Sequence, residues 1–273
     1  MDLDAALQRL AADPDADYDL AELALHLARD EYRDVDVEAY LGELAGMAHE
    51  VKRYLRGGLE DRVKGLCRYL FHDMGFRGNK QHYYDPRNSY LNQVLDRRTG
   101  IPITLSAVAM ALGRRAGLTV VGVGLPGHFV AKALEGGREI IFDPYHGGRL
   151  LSWEDCENVV EQVTGSPFQA TPVKLEPLPL GFIMQRMLNN LKGVYLRQGD
   201  VTRSIRVIER LLQLDPSDVL QRRDLGVSLL QAGLAGQAID HLAAYLAASA
   251  QAPDAEPIRQ LLQRAQAAVS KWN

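Results

Sequence analysis

The chain has 273 residues, 47% hydrophobic and 24% charged, enough for one large domain or two modest ones with buried cores. Aromatics at 7%, with 24 Gly and 12 Pro, exclude a disordered or collagen-like chain, and two cysteines permit at most one disulfide and no Cys-rich zinc site. A net charge of −4 gives no global pull toward nucleic acid, MDLDAALQRL lacks the pattern of a signal peptide, and no apolar run can span a bilayer, so a soluble cytoplasmic protein is expected.

Four helices are predicted before residue 72. Leu3, Ala6, Leu7 and Leu10 recur at helical spacing, followed by Leu20, Leu23, Leu25 and Leu27 in part. Val37, Tyr40, Leu41, Leu44, Met47 and Ala48 form a third stripe, with Asp34 or Asp36 placed to cap it. The fourth helix covers Leu59–Phe71, with Val63, Leu66, Cys67 and Leu70 on one face, so Cys67 reads as a small core residue. Residues 1–50 carry fourteen acidic and three basic side chains, whereas residues 51–115 carry thirteen basic and five acidic. Arg53, Arg56, Arg62, Lys64, Arg68, Arg77 and Lys80 would suit a nucleic-acid face. Acidic residues so near in sequence favour charge pairing within one fold instead, and no nucleic-acid partner is expected.

Residues 72–98 form a polar, tyrosine-bearing stretch whose length marks it as a place for function. Pro102 suits a first helical turn and Gly117 a helix end, giving a largely buried helix over Ile103–Ala116. Strands follow at Thr119–Leu125, His128–Leu134 and Glu139–Asp143, the last two joined by the Gly136-Gly137 turn. If those glycines are the two loop residues, Glu135 faces Arg138 and His128, Val130, Asp143 and Tyr145 share one face, with His128 and Asp143 diagonal neighbours. An imidazole and a carboxylate so placed make the base and orienter of a nucleophilic site, or a plain surface pair. His72, His82, His128 and His146 lie near Asp73, Asp85 and Asp143, but no pair has regular ligand spacing, and neither a metal nor a cofactor is expected. Gly124, Pro126 and Gly127 read as turn residues, although the GLPGH run could fold as an anion nest.

The order of these elements resembles the transglutaminase-like, papain-related core: GIPITLSAVAMALGRRAGL (100–118) the nucleophile helix, GHFVAKAL the His strand and IIFDPYHGG the Asp strand. YYDPRNSYLNQVLDRRTGIPITLS and GVGLPGHF resemble more specifically the bacterial "regulator of sirC expression" proteins, which join such a core to tetratricopeptide repeats. The resemblance implies a cysteine at the helix start, but Pro102 stands there, and the neighbours Ile103 and Thr104 are not thiols either. His128 and Asp143 carry over as base and orienter. Thr104 and Ser106 are substitute nucleophiles, although hydroxyls near a helix start more often cap or bond back to the backbone. Asn92 could donate to an oxyanion or cap a helix. The family name implies a part in gene regulation, which would be indirect because no helix-turn-helix reader is present.

TGSPFQATPVKLEPLPLG (164–181) reads as a linker, after which a period of 34 residues pairs Leu191 with Leu225, Tyr195 with Leu229, Gly199 with Gly233, Ser204 with Ala238 and Ile208 with Leu242. This resembles two tetratricopeptide repeats, with residues 257–272 as a capping helix. Their inner faces would present Arg186, Asn189, Arg197, Arg223 and Gln231 to an acidic or C-terminal peptide. The expected fold class is α+β: an N-terminal helical subdomain (1–71), a papain/transglutaminase-like core with a small antiparallel sheet (72–163), the linker, and C-terminal α-helical repeats (182–273). The expected function is a non-catalytic regulatory or protein–protein interaction module, a pseudoenzyme binding protein or peptide through its repeats. The alternative is a hydrolase or acyl transferase for peptide or amide bonds, using His128 and Asp143 with a hydroxyl or an activated water.

Overall fold

The structure, a computed structural model, describes residues 1–270. Its first helices are α1 (Leu3–Ala12), α2 (Leu20–Ala28), α3 (Val37–Val51) and α4 (Leu59–Cys67). Aspartates start two of them, Asp19 accepting from the Ala21 amide at 2.9 Å and Asp36 from the Ala39 amide at 3.1 Å, so each carboxylate satisfies a donor that the helix leaves open. Helix α4 runs on as a π-helical turn, Arg68–Asp73. A two-residue parallel pair, β1 (Arg77–Gly78) with β2 (Thr99–Gly100), brackets α5 (Leu91–Arg97). Then follow α6 (Pro102–Ala116), the strands β3 (Thr119–Leu125), β4 (His128–Glu135), β5 (Arg138–Asp143) and β6 (Arg149–Leu151), and α7 (Trp153–Thr164). Five α-helices follow among the described residues: α8 (Leu180–Gln198), α9 (Val201–Leu214), α10 (Val219–Gln231), α11 (Ala235–Ala248) and α12 (Ala255–Ser270).

The chain divides into two compact units, the first made of Met1–Leu3 and Pro14–Met187, the second of Asp4–Asp13 and the residues from Leu188 onward. In the first, β3-β4-β5-β6 form an antiparallel sheet. The β4–β5 ladder has the expected register, with Glu135 opposite Arg138 and Ala131 opposite Phe142. Gly136 and Gly137 set it, because their φ values of +55° and +79° give the two-residue turn whose twist matches the strands. Helix α6 lies against β3 and β4, α3 against α6, and α4 against β4 and β5, so residues 14–71 and the strands share one unit. One sheet face packs Val123, Leu125, Val130 and Ile141 with Leu151, Cys156 and Val160. Alternation along the strands places these residues inward, and burial of each large aliphatic side chain is worth about 1.5–3 kcal/mol.

Charges of opposite sign meet within this unit as the sequence leads one to expect. Arg114 pairs with Asp17 at 2.9 Å, Arg98 with Glu43 at 3.2 Å, and Arg115 with Asp19. Strand β3 is an edge strand, and after α7 the chain returns to it: the Leu178 amide donates to the Gly122 carbonyl at 2.8 Å, between Pro177 and Pro179.

The second unit is helical. Ile208, Leu225, Leu229, Ala238, Leu242, Tyr245 and Ile258 form its core, and the 34-residue partners Ser204 and Ala238 are both fully buried. Their small side chains allow paired helices to approach closely. Buried Lys192 donates to Gln221 Oε1 at 2.6 Å and pairs with Asp224, which satisfies an ammonium that would otherwise be costly to bury. No described helix is long and apolar enough to cross a membrane.

Candidate functional site

The site grows from the far ends of the β4–β5 hairpin. His128 opens β4 and Asp143 closes β5, so the diagonal placement read from the sequence brings His128 Nε2 to 2.8 Å from Asp143 Oδ2. Pro144 ends the strand and starts a 3-10 turn, Pro144–His146, which Asp143 caps: its Oδ1 accepts from the amides of Tyr145 at 2.9 Å and His146 at 3.3 Å. That turn takes Tyr145 out of the strand, so it packs edge-on against His128, ring centroids 6.1 Å apart, instead of pairing with it across the ladder. It also folds His146 back, and His146 Nδ1 reaches the same carboxylate oxygen at 2.7 Å.

The carboxylate is thus held by two backbone amides and two imidazoles while its side chain is only 1% exposed. Burial works against its charge, but the contacts of His128 and then His146 outweigh it and hold the Asp143 carboxyl below the usual carboxylate range. Tyr145 donates its hydroxyl to the Asn79 carbonyl at 3.2 Å and meets the Tyr83 ring edge-on, which ties the turn to the 72–98 segment. Of the four histidines that the sequence places near Asp73, Asp85 and Asp143, His128 and His146 meet Asp143; Asp-Pro followed by a histidine three residues after the aspartate is the spacing of a capped turn.

The start of α6 carries hydroxyls but no thiol. Pro102, Ile103 and Thr104 are all buried. Thr104 Oγ1 donates at 2.8 Å toward the Asn88 carbonyl and lies 3.1 Å from both the Ile101 amide and the Ile101 carbonyl, so the hydroxyl seals the helix start. Ser106 Oγ and Asn92 Oδ1 are buried without a hydrogen-bond partner. Both thiols lie elsewhere, and burial pushes Cys67 up to about 12 and Cys156 up to about 11, so neither is a thiolate at neutral pH.

Of the residues expected to form one repeat groove, Arg186 lies in the first unit and the other four in the second. Arg186 belongs to the first unit, where its Nη2 donates to the carbonyls of Leu125 at 2.8 Å and His128 at 2.7 Å and its guanidinium lies over the Phe129 ring. It is a clamp on the turn before β4 and not part of a repeat surface. Arg223 is engaged by Asp224 and Asp254, each at 2.7 Å, whereas Asn189, Arg197 and Gln231 are exposed.

With this geometry in view, the comparison with known families is decisive. The transglutaminase-like superfamily model matches residues 38–189, more than half of the chain. The chain belongs to the transglutaminase-like superfamily. A tetratricopeptide-repeat model matches residues 191–263, in agreement with the 34-residue period. A UPF0162 protein of Xylella fastidiosa is 36% identical over 246 residues, covering 87% of this chain and 86% of that protein. A UPF0162 protein of Pseudomonas aeruginosa is 29% identical over 214 residues, covering 78% of this chain and 77% of that one. Human F-box only protein 21 is 31% identical over 166 residues, covering 57% of this chain and 25% of that protein. No solved structure gives a significant match. His128 and Asp143, in contact at 2.8 Å, and Pro102, which opens α6, all lie within the matched residues.

Proposed function

We propose that the chain is a non-catalytic regulatory module of the cytoplasm that binds a protein or peptide through its tetratricopeptide repeats. The observation that carries this reading is the sealed start of α6: Pro102 supplies neither thiol nor amide, and the Thr104 hydroxyl is engaged by the backbone of Ile101 and Asn88. A superfamily nucleophile works because the helix N-terminus favours the thiolate and the neighbouring imidazole takes its proton. Here the helix start is closed by a neutral hydroxyl and both cysteines are buried and protonated.

A second reading keeps His128 and Asp143 at work with an activated water, in a hydrolase or acyl transferase. Their intact 2.8 Å contact, buried and supported by two backbone amides, favours it. The experiment that separates the two compares the full chain with His128→Ala on a peptide and amide substrate panel and in partner capture. The module predicts no turnover by either protein and equal capture by both. Turnover by the wild type that disappears in the variant would establish the enzyme.

A further inference from the structure

Three ligand-type atoms converge at the end of β5. His128 Nε2, Asp143 Oδ2 and His146 Nδ1 all lie within 4.8 Å of one another. They form the one such group of His, Cys, Asp and Glu among the described residues. No local spacing announces it, because His128 arrives from the neighbouring strand and His146 from the capped turn. We propose that these three side chains bind a divalent first-row transition ion such as Zn²⁺.

The donor set is two imidazole nitrogens and one carboxylate oxygen, which suits zinc and its neighbours and leaves coordination positions for water. Two imidazole nitrogens already lie 2.8 and 2.7 Å from a single carboxylate oxygen, so the fold brings the three donor atoms together before any ion arrives. Ligand atoms around 2.0–2.1 Å from a tetrahedral ion stand roughly 3.3 Å apart, so two sides of the triangle need to open by only about half an ångström. On binding, each imidazole turns its lone pair toward the ion and keeps its proton on the other ring nitrogen, Nδ1 of His128 and Nε2 of His146. The remaining carboxylate oxygen keeps its two amide donors, from Tyr145 and His146, which fix the orientation of Asp143 as the outer contacts of a metal ligand do. His128 and Asp143 are buried at 4% and 1% side-chain exposure, whereas His146 is 42% exposed, so an ion has an entry path on one side. His72 stands apart, lining an open cavity with Lys64, Cys67 and Gly148.

The test is calorimetric titration of the chelator-stripped full chain with ZnCl₂, and visible absorption on titration with CoCl₂. The expected result is one ion per chain, with Co²⁺ bands of a site containing nitrogen ligands. His146→Ala, which changes an exposed ring and leaves the His128–Asp143 contact in place, removes a ligand and should weaken Zn²⁺ binding by more than the roughly 10–100-fold that loss of an outer contact costs. Asp143→Asn should weaken it as well, and His72→Ala should leave it unchanged. Folding of each variant is checked by its circular dichroism melt, and His146→Ala keeps the test open should Asp143→Asn fail to fold. Absence of Zn²⁺ binding by the wild type, wild-type affinity in His146→Ala, or loss of binding in His72→Ala would each overturn the assignment.

Discussion

Replacing Asp143 with alanine tests whether one carboxylate organises this end of the sheet. The variant loses the Oδ1 cap on the Tyr145 and His146 amides and the Oδ2 contacts to two imidazoles. Loss of a cap costs about 1 kcal/mol, and leaving buried His128 without its partner about 1–3 kcal/mol. His146 is half exposed and water replaces its contact, so it adds little. The sum is about 2–4 kcal/mol, which for a unit of this size lowers the melting temperature by roughly 4–16 °C. Thermal and urea melts with chelator present measure it free of any bound ion. The pH dependence follows from the depressed Asp143 carboxyl. Its stabilisation is full above the unfolded carboxylate pKa of about 3.9 and disappears as pH falls through the lower folded-state value. The gap between wild type and Asp143→Ala should therefore be full at neutral pH and close in strong acid. A neutral-pH difference below about 0.5 kcal/mol, or a gap that widens on acidification, would refute the reasoning, since surface changes fall within that range.

Gly148→Ala should cost about 2–4 kcal/mol, because φ is +77° and a Cβ would stand 2.6 Å from the Cys67 Cβ and Sγ; a urea melt within 0.5 kcal/mol of wild type would contradict this packing. Cys67 and Cys156 should resist iodoacetamide in the folded chain and react at ordinary thiol rates in urea, read by mass spectrometry of quenched samples. Arg186→Ala removes the donor from the Leu125 and His128 carbonyls and should cost about 2–4 kcal/mol while shifting the His128 ring resonances in NMR; unchanged resonances would place the clamp outside the site's support.

What the sequence disclosed follows the range of the forces involved. The β4–β5 register was legible because two adjacent glycines fix a hairpin locally, and the His128–Asp143 diagonal follows by counting. The Asp36 cap was legible as one of two neighbouring candidates, whereas the Asp19 cap was not read, and the 34-residue period was legible from repeated residue types. The local capping of Ile101 by Thr104 was legible, but its bond to Asn88 was not, since that acceptor lies sixteen positions away on a 3-10 turn of the 72–98 segment. Three-residue β6 and the two-residue pair of β1 and β2 carry too little pattern to detect. Arg186 misled for a different reason: helical periodicity runs unbroken through α8, but the helix begins in one unit and ends in the other, so residues of one stripe serve two cores.

The return of the chain to β3 has a consequence for how anything can attach to the sheet. A bare edge strand is a template on which another chain can add itself by backbone pairing. The single bond from Leu178 to Gly122 occupies that template from within, and the flanking prolines have no amide with which to extend the ladder outward. The protein thus covers this edge with a short segment that cannot itself become a new edge. Strand addition is hindered at β3, which leaves β6 as the sheet's other edge.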